Sequence, residues 1–346
     1  MSEQDPHSSH TRPRATMRHV AALAGVGVKT VSRVINGEPN VSAATTARVR
    51  AAARSLDYHL DMLAGNLRRA DGRTRTLGLL VGSVDNPFAG AIHRAIEDAA
   101  IERDVAVFAS SLDDDPSREQ HAVEAFLRRR VDGLILTTAS RSHNYLLPTL
   151  ERDTPVVFVD REPTGLQVDV VTSDNADGAA RATAHLLAHG HRRIAFLGDR
   201  LTIQTAAERR RGFLEELGRA GVSTFNARLR TELHDAATAE QALGELLDGE
   251  DPPTAIFSAQ NLITFAALHA LRARNLQHRI ALVGFDDLPL ADLLEPGVTV
   301  IAQDAHTIGS TAAQRIFARL DGTDLSPTTL AIPTTLIQRG TGEITP

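Results

Sequence analysis

The stretch Met17-Arg18-His19-Val20-Ala21-Ala22-Leu23-Ala24-Gly25-Val26-Gly27-Val28-Lys29-Thr30-Val31-Ser32-Arg33-Val34-Ile35-Asn36 decides how the chain begins. Its apolar residues recur at helical spacing on both sides of a glycine. Val20, Leu23 and Ala24 form the inner stripe of a first helix over 17–24; Val31, Val34 and Ile35 form that of a second over 28–35. Gly25 supplies the tight turn, because a left-handed backbone costs glycine nothing. This spacing is that of a helix-turn-helix. It pushes Val28, Lys29, Ser32 and Arg33 outward near the start of the second helix, where a recognition helix meets base edges. A third helical pattern follows at 43–56, with Thr16 and Ser42 as expected N-caps of the first and third helices.

Working outward, residues 1–15 are a polar extension expected to be disordered, and 57–75 form a linker carrying Arg68, Arg69, Arg73 and Arg75. From Thr76 the texture changes. Short apolar runs at Leu77–Val84, Val105–Ala109, Gly133–Leu136, Val156–Val159, Ile194–Leu197, Ala255–Phe257 and Ala281–Val283 alternate with longer stretches. Those stretches, at 88–103, 116–130, 175–189, 205–220, 236–248 and 261–274, each have room for a helix. Runs that are apolar throughout imply strands buried on both faces, and so parallel sheets covered by helices. So many βα units exceed one comfortable sheet. The expected fold is a small all-α helix-turn-helix head joined to an α/β body of two doubly wound parallel-sheet subdomains, with a ligand cleft near the carboxyl ends of the strands.

Composition narrows the function. The 346 residues include no cysteine, which removes disulfides, zinc–thiolate sites and a thiol nucleophile. No run approaches the ~18 apolar residues of a membrane span, and Met1–Arg14 has no apolar core of a signal peptide; a cytoplasmic, nucleoid-associated protein is expected. Through Arg75 there are 12 Lys and Arg against 6 Asp and Glu, and after it 25 against 37. A basic head on an acidic body implies that only the head meets a polyanion. Enzyme signatures are missing: Leu79-Leu80-Val81-Gly82-Ser83-Val84 offers no phosphate-cradling glycine loop, and neither G-x-S-x-G nor H-E-x-x-H occurs. His189-Gly190-His191 reads as a helix-end turn and Asp113-Asp114-Asp115 as a solvated loop before a helix, so neither a metal nor another cofactor is expected.

The head closely resembles the DNA-binding head of the lactose-repressor (LacI/GalR) family of bacterial transcription regulators. The specific part is Val20-Ala21 through Gly25-Val26, then Thr30-Val31-Ser32-Arg33-Val34-Ile35-Asn36-Gly37. The resemblance continues through Asn86-Pro87-Phe88, Val131-Asp132-Gly133-Leu134-Ile135, Gly190-His191-Arg192-Arg193-Ile194-Ala195, Gly212-Phe213, Val283-Gly284-Phe285-Asp286-Asp287 and Pro333-Thr334-Thr335-Leu336. It spans residues 16–340 and implies a type 1 periplasmic-binding-protein-like body. The implied boundaries are a head at 16–60, a hinge and linker at 61–75, and a body at 76–346. One subdomain takes about 76–173 and 304–331, the other about 174–303 and 332–346.

The resemblance implies a homodimeric repressor that reads a near-palindromic operator under the control of a small effector, most often a sugar. A periplasmic-type sugar receptor shares such a body, but the basic head and absent leader argue against it. By position Val28, Lys29 and Arg33 match base-reading residues, while Thr30, Ser32 and Asn36 match phosphate or adjacent contacts. Lys29 can donate to guanine and Val28 can pack on a thymine methyl. Leu67 takes the place of a leucine that wedges into the minor groove. The hinge departs from the family at Leu60, Asp61 and Gly65, and Gly65 weakens a short helix by up to ~1 kcal/mol relative to alanine.

Cleft positions carry over from the family as Phe88, Thr137, Asp160, Arg209, His234, Gln260, Asp286 and Gln303. Gln260 stands where asparagine is usual, and Asn261 follows in place of aspartate. A donor such as Arg209 opposite an acceptor such as Asp286 suits a neutral polyol, and Phe88 could pack on a sugar face.

Overall fold

The computed structural model describes residues 15–35, 38, 41–58, 73–223 and 228–346. It divides into two compact units, Met1–Thr74 and Arg75–Pro346. The expectations for Asn36, for Leu67 and for the rest of the hinge lie outside the described residues.

In the first unit, α1 (Met17–Ala24), α2 (Val28–Ile35) and α3 (Ala43–Ser55) follow the helical patterns closely. Thr16 and Ser42 cap α1 and α3 with their side chains, and Gly25 ends α1 at φ +63°. Val20, Ala21, Ala24, Val31, Val34, Val49 and Ala52 form the small core. One expectation is corrected. Leu23 is 57% exposed, and Ala21 takes its place inside. At helical spacing Val20, Ala21 and Ala24 share one arc of α1, and Leu23 falls off it toward solvent.

The body holds two six-stranded sheets built alike. Strands β1 (Thr76–Val81), β2 (Ala106–Ser111), β3 (Gly133–Leu136), β4 (Val156–Val159), β5 (Asp169–Ser173) and β11 (Thr329–Ile332) make the first, in the order β11-β5-β4-β3-β1-β2. Strands β6 (Ile194–Leu197), β7 (Arg228–Arg230), β8 (Ala255–Ser258), β9 (Ala281–Phe285), β10 (Thr299–Ala302) and β12 (Thr335–Ile337) make the second, as β12-β10-β9-β8-β6-β7. All pairings are parallel except β10 with β12. The central strands are buried on both faces, as their unbroken apolar runs require, whereas β2 and β7 lie at edges and are partly exposed.

Helices α4 (Pro87–Ile101), α5 (Pro116–Arg128), the short α6 (Leu147–Leu150) and α11 (Ala305–Leu320) belong to the first subdomain. Helices α7 (Asn175–Ala188), α8 (Gln204–Arg219), α9 (Ala236–Leu247) and α10 (Asn261–Ala273) cover the second. The chain therefore crosses between subdomains three times, near Asp174, Gln303 and Pro333. Two crossings are tied together: the Asp174 carboxylate accepts from the Thr334 N–H (2.7 Å) and from Arg181 Nη2 (3.0 Å). Such crossings place the carboxyl ends of both sheets at one cleft.

Candidate ligand cleft and DNA-reading helix

The two sheets present matching aspartates. Asp160 follows β4 and Asp286 follows β9, both with left-handed backbones, φ +68° and +73°. Each N–H donates to the neighbouring strand, Asp160 to Val171 O and Asp286 to Ile301 O, both at 2.9 Å. Strained backbone of this kind persists only where the surroundings hold it, and it concentrates at ligand sites.

Arg209, from α8, is buried beside Asp286. Its Nε donates to Asn175 Oδ1 (2.8 Å), its Nη1 donates to Ala259 O (2.9 Å), and its guanidinium lies over the Phe285 ring at 3.8 Å. Nη1 stands 4.0 Å from the Asp286 carboxylate, so this is a loose ion pair held by other partners. Gln303 Nε2 donates to Asp286, and Gln260 Nε2 donates to Asp199 at 3.3 Å. The remaining amide oxygens of Gln260 and Gln303 are buried and, among the described residues, accept no hydrogen bond. Burial pushes the Asp160 and Asp199 carboxyls above the usual carboxylate range; for Asp160 the charges of Arg161 and Arg209 pull the other way. Burial likewise lowers Arg209, while Asp286 and Asp160 oppose the shift.

Thr137 is buried at the end of β3, its N–H donating to Leu80 O (2.8 Å). Phe88 is half-buried at the start of α4 and leans on the core of the first subdomain. His234 is not brought to the Arg209 group: it is exposed on the turn before α9, its ring beside Glu232 O and 3.3 Å from the Asp235 carboxylate. Its loose alignment to the family offered no firmer signal.

Sequence reading missed the first subdomain's own charge pair. Arg161 Nη1 donates to Asp114 (2.6 Å) and to Thr138 O (3.1 Å), and its Nε lies 3.7 Å from Asp160. Asp114 is thus no free member of a solvated acidic loop, although Asp115 does cap α5. Arg161 and Asp114, with Ser140, Glu162, Arg200 and Gln204, belong to the lining of a cavity of about 730 Å³ built from strand-end loops of both sheets. Hydrogen bonds cross the cleft from Glu162 N–H to Gln204 Oε1 (2.8 Å) and from Asn261 Nδ2 to Asn86 Oδ1 (2.9 Å). Among the described residues no group of three or more His, Asp or Glu could hold a metal ion.

In the head, Val28 is 43% exposed at the start of α2, and Lys29 and Arg33 are exposed beside it. Thr30 and Ser32 are half-buried on the same helix, and Arg33 Nε lies 3.5 Å from Glu38.

The family description "Bacterial regulatory proteins, lacI family" matches residues 16–61, and "Periplasmic binding proteins and sugar binding domain of LacI family" matches 74–340. The chain belongs to the LacI family. It is a DNA-binding transcriptional regulator with a ligand-binding body. The transcriptional regulator PtxS of Pseudomonas aeruginosa is 33% identical over 335 residues, covering 95% of this chain and 96% of that protein. The ribose operon repressor of Escherichia coli is 31% identical over 330 residues, 94% and 99% of the two chains. Among solved structures, a Lac repressor dimer bound to operator and the anti-inducer ONPF superposes with a TM-score of 0.82 at 26% identity, covering 95% of this chain and 99% of that one. A complex of the regulator CelR with cellobiose superposes with 0.68 at 31% identity, covering 95% of this chain and all of that one. Among the described residues no helix is long and apolar enough to cross a membrane.

Proposed function

We propose that the chain is a homodimeric cytoplasmic repressor, bound to the nucleoid at a near-palindromic operator and controlled by a sugar in the cleft of its body. The cleft observation that carries the effector class is the Arg209–Asp286–Gln303 group, beside which Gln260 and Gln303 present buried amide oxygens as acceptors. Hydroxyl groups satisfy such acceptors while Arg209 supplies a donor, and the offset charges favour a neutral polyol. Asp160, Thr137, Gln260 and Phe88 complete the assigned set, with His234 carried from the family pattern alone. In the head, Val28, Lys29 and Arg33 are assigned to base edges, and Thr30 and Ser32 to the backbone, with Asn36 and Leu67 carried from the family pattern alone. A second copy would cover apolar side chains such as Leu290 and Leu293, each more than half exposed.

A thermal-shift panel of ribose, xylulose, galactose and cellobiose, followed by operator titration with and without the best hit, tests this reading. A stabilising sugar that also changes operator affinity is expected; a panel without a hit overturns the sugar assignment. Lys29→Ala should cost ~1–3 kcal/mol on the best operator and relax preference at one base position. A uniform loss over all sequences would mark Lys29 as a phosphate contact.

A further inference from the structure

Behind the cavity lies a closed polar network that no cleft assignment uses. Glu119 of α5 is fully buried, and its carboxylate accepts from four donors: the Thr138 hydroxyl (3.0 Å), the Ala139 N–H (2.7 Å), the Ser140 N–H (2.9 Å) and the Tyr145 hydroxyl. Because the Thr138 hydrogen goes to Glu119, its oxygen accepts from His143 Nε2, 2.6 Å away. On the other side of the ring, His143 Nδ1 accepts the Thr164 N–H at 3.1 Å. The ring is therefore neutral and protonated on Nε2. His143 is 1% exposed, edge-on to Phe158 and beside Tyr145.

The two turns held at either end of this network, Thr138–Ser140 and the one containing Thr164, are both walls of the cavity. They are separated by some twenty residues of chain, and the network joins them from beneath. We propose that Glu119 and His143 are positioning residues of the effector cavity, with neutral His143 clamping the Thr164 turn to the Thr138–Ser140 turn, so that acid releases this rim and weakens effector binding. The inference rests on the reading that the cavity belongs to the effector site.

The chemistry of the clamp is one-sided. A protonated His143 would turn an N–H toward the Thr164 N–H, two donors facing each other with no acceptor between them. Glu119, 3.9 Å away, would welcome the cation, but its oxygens already take four hydrogen bonds. Arg161, from the loop after β4, donates to Thr138 O and adds positive charge on the far side of that peptide. Tyr145 stays neutral, since burial and then Glu119 push its phenol far up. Burial lowers His143 below the usual histidine range, with Glu119 opposing. A histidine depressed in the clamped state contributes order that is complete above its ordinary range and is lost as pH falls from there through its own lowered range.

The test uses the full-length protein with ¹⁵N-labelled histidine and pH-corrected amide hydrogen exchange. Between about pH 7.5 and about pH 5, low enough to enter the lowered range of the ring, exchange at Thr164 should rise about tenfold, the scale of one hydrogen bond. Its midpoint should coincide with the His143 ring, while α4 amides stay unchanged. In His143→Asn the side-chain oxygen can still accept the Thr164 N–H but cannot titrate, so protection should persist at both pH values. In His143→Gln, which reaches toward Thr138 instead, it should be lost at both. A ring proton on Nδ1, or Thr164 protection that stays flat while the ring titrates, would overturn the clamp. The sugar panel adds the second arm. If no sugar binds while the exchange pattern holds, the effector reading fails and the clamp stands. If a sugar binds equally at both pH values although the clamp opens, the coupling fails.

Discussion

The two walls of the cleft use the same strand-end aspartate and surround it differently. On the second subdomain, Asp286 sits beside an arginine that comes from a helix, is buried, and is held by Asn175, Ala259 and the face of Phe285. On the first, Asp160 sits beside Arg161, its own chain neighbour, which leans on Asp114 and forms part of the cavity lining. One wall carries its cation as a fixed fitting of the core. The other carries it on a loop, held from behind by polar groups. Fixed charges supply preorganised recognition, whereas loop charges can follow a closing motion. The frame beneath each wall repeats the contrast: Phe196, Phe213, Phe257 and Phe285 pack together under Arg209, while the core under α4 and α11 is chiefly aliphatic.

The sharpest way to break the comparison is in the helix pairs behind the walls. Gly212 of α8 meets α7 so closely that an added Cβ would lie 1.9 Å from Ala176 O, whereas at Gly309 of α11 it would lie 2.6 Å from Ile92 O. Backbone cannot yield as a side chain can, so at 1.9 Å the cost should run well beyond the roughly 1–3 kcal/mol of ordinary overpacking. Gly212→Ala should therefore unfold the body or lower its thermal midpoint the most of any change considered, with Gly309→Ala milder. Equal losses in calorimetry would show that the two helix pairs have the same slack.

Next in size is the pair of arginines. Arg209→Ala leaves Asn175 Oδ1 and Ala259 O without their donor and Asp286 without its cation, so a loss of about 3–5 kcal/mol is expected, as for a broken buried ion pair. Sugar binding should disappear with it. Arg161→Ala leaves Asp114 able to reach water and should cost about half as much, while weakening the sugar less. Urea unfolding and sugar titration of both variants check this ordering. A larger effect from Arg161 would make the first wall the fixed one.

Much of this arrangement is legible in the sequence. Gly133–Leu136, Val156–Val159 and Ile194–Leu197 are strands to the residue because burial on both faces leaves an unbroken apolar run. Arg209, Asp286 and Gln303 do converge, since strand ends and the helix after a strand must meet at the cleft. Other features had no local signal. The polar edge strand β7, Arg228-Leu229-Arg230, looks like loop, and β11 and β12 are short and separated by Pro333. Helix α11 lies just after a crossing, and the strands it covers lie more than a hundred residues earlier. Arg161, Glu119 and His143 go unnoticed, and Asp114 reads as a solvated loop acid, for the same reason: each matters through a partner on another loop, and spacing along the chain cannot report that pairing.

The smallest expected effect bears on how the walls meet. Asn261 opens α10 on the second subdomain, and its Nδ2 donates 2.9 Å to Asn86 Oδ1 on the first. The same Asn86 oxygen already accepts the Phe88 N–H at 3.0 Å as the cap of α4, so its orientation is set before the cleft closes. Only a donor can answer it. The resemblance implies an aspartate at this position in many relatives, and a carboxylate there would face another acceptor with nothing to share. The amide at 261 thus gives this chain a cross-cleft bond whose partner is preset by a helix cap. Asn261→Asp should remove that bond and add repulsion, favouring the open cleft by about 0.5–1.5 kcal/mol. A ligand that binds the closed form would then bind up to about tenfold more weakly. Overall stability should change little, because each wall keeps its own core. Sugar titration beside thermal unfolding separates the two quantities. Unchanged sugar affinity in Asn261→Asp would mean that the Asn86 contact follows closure without favouring it.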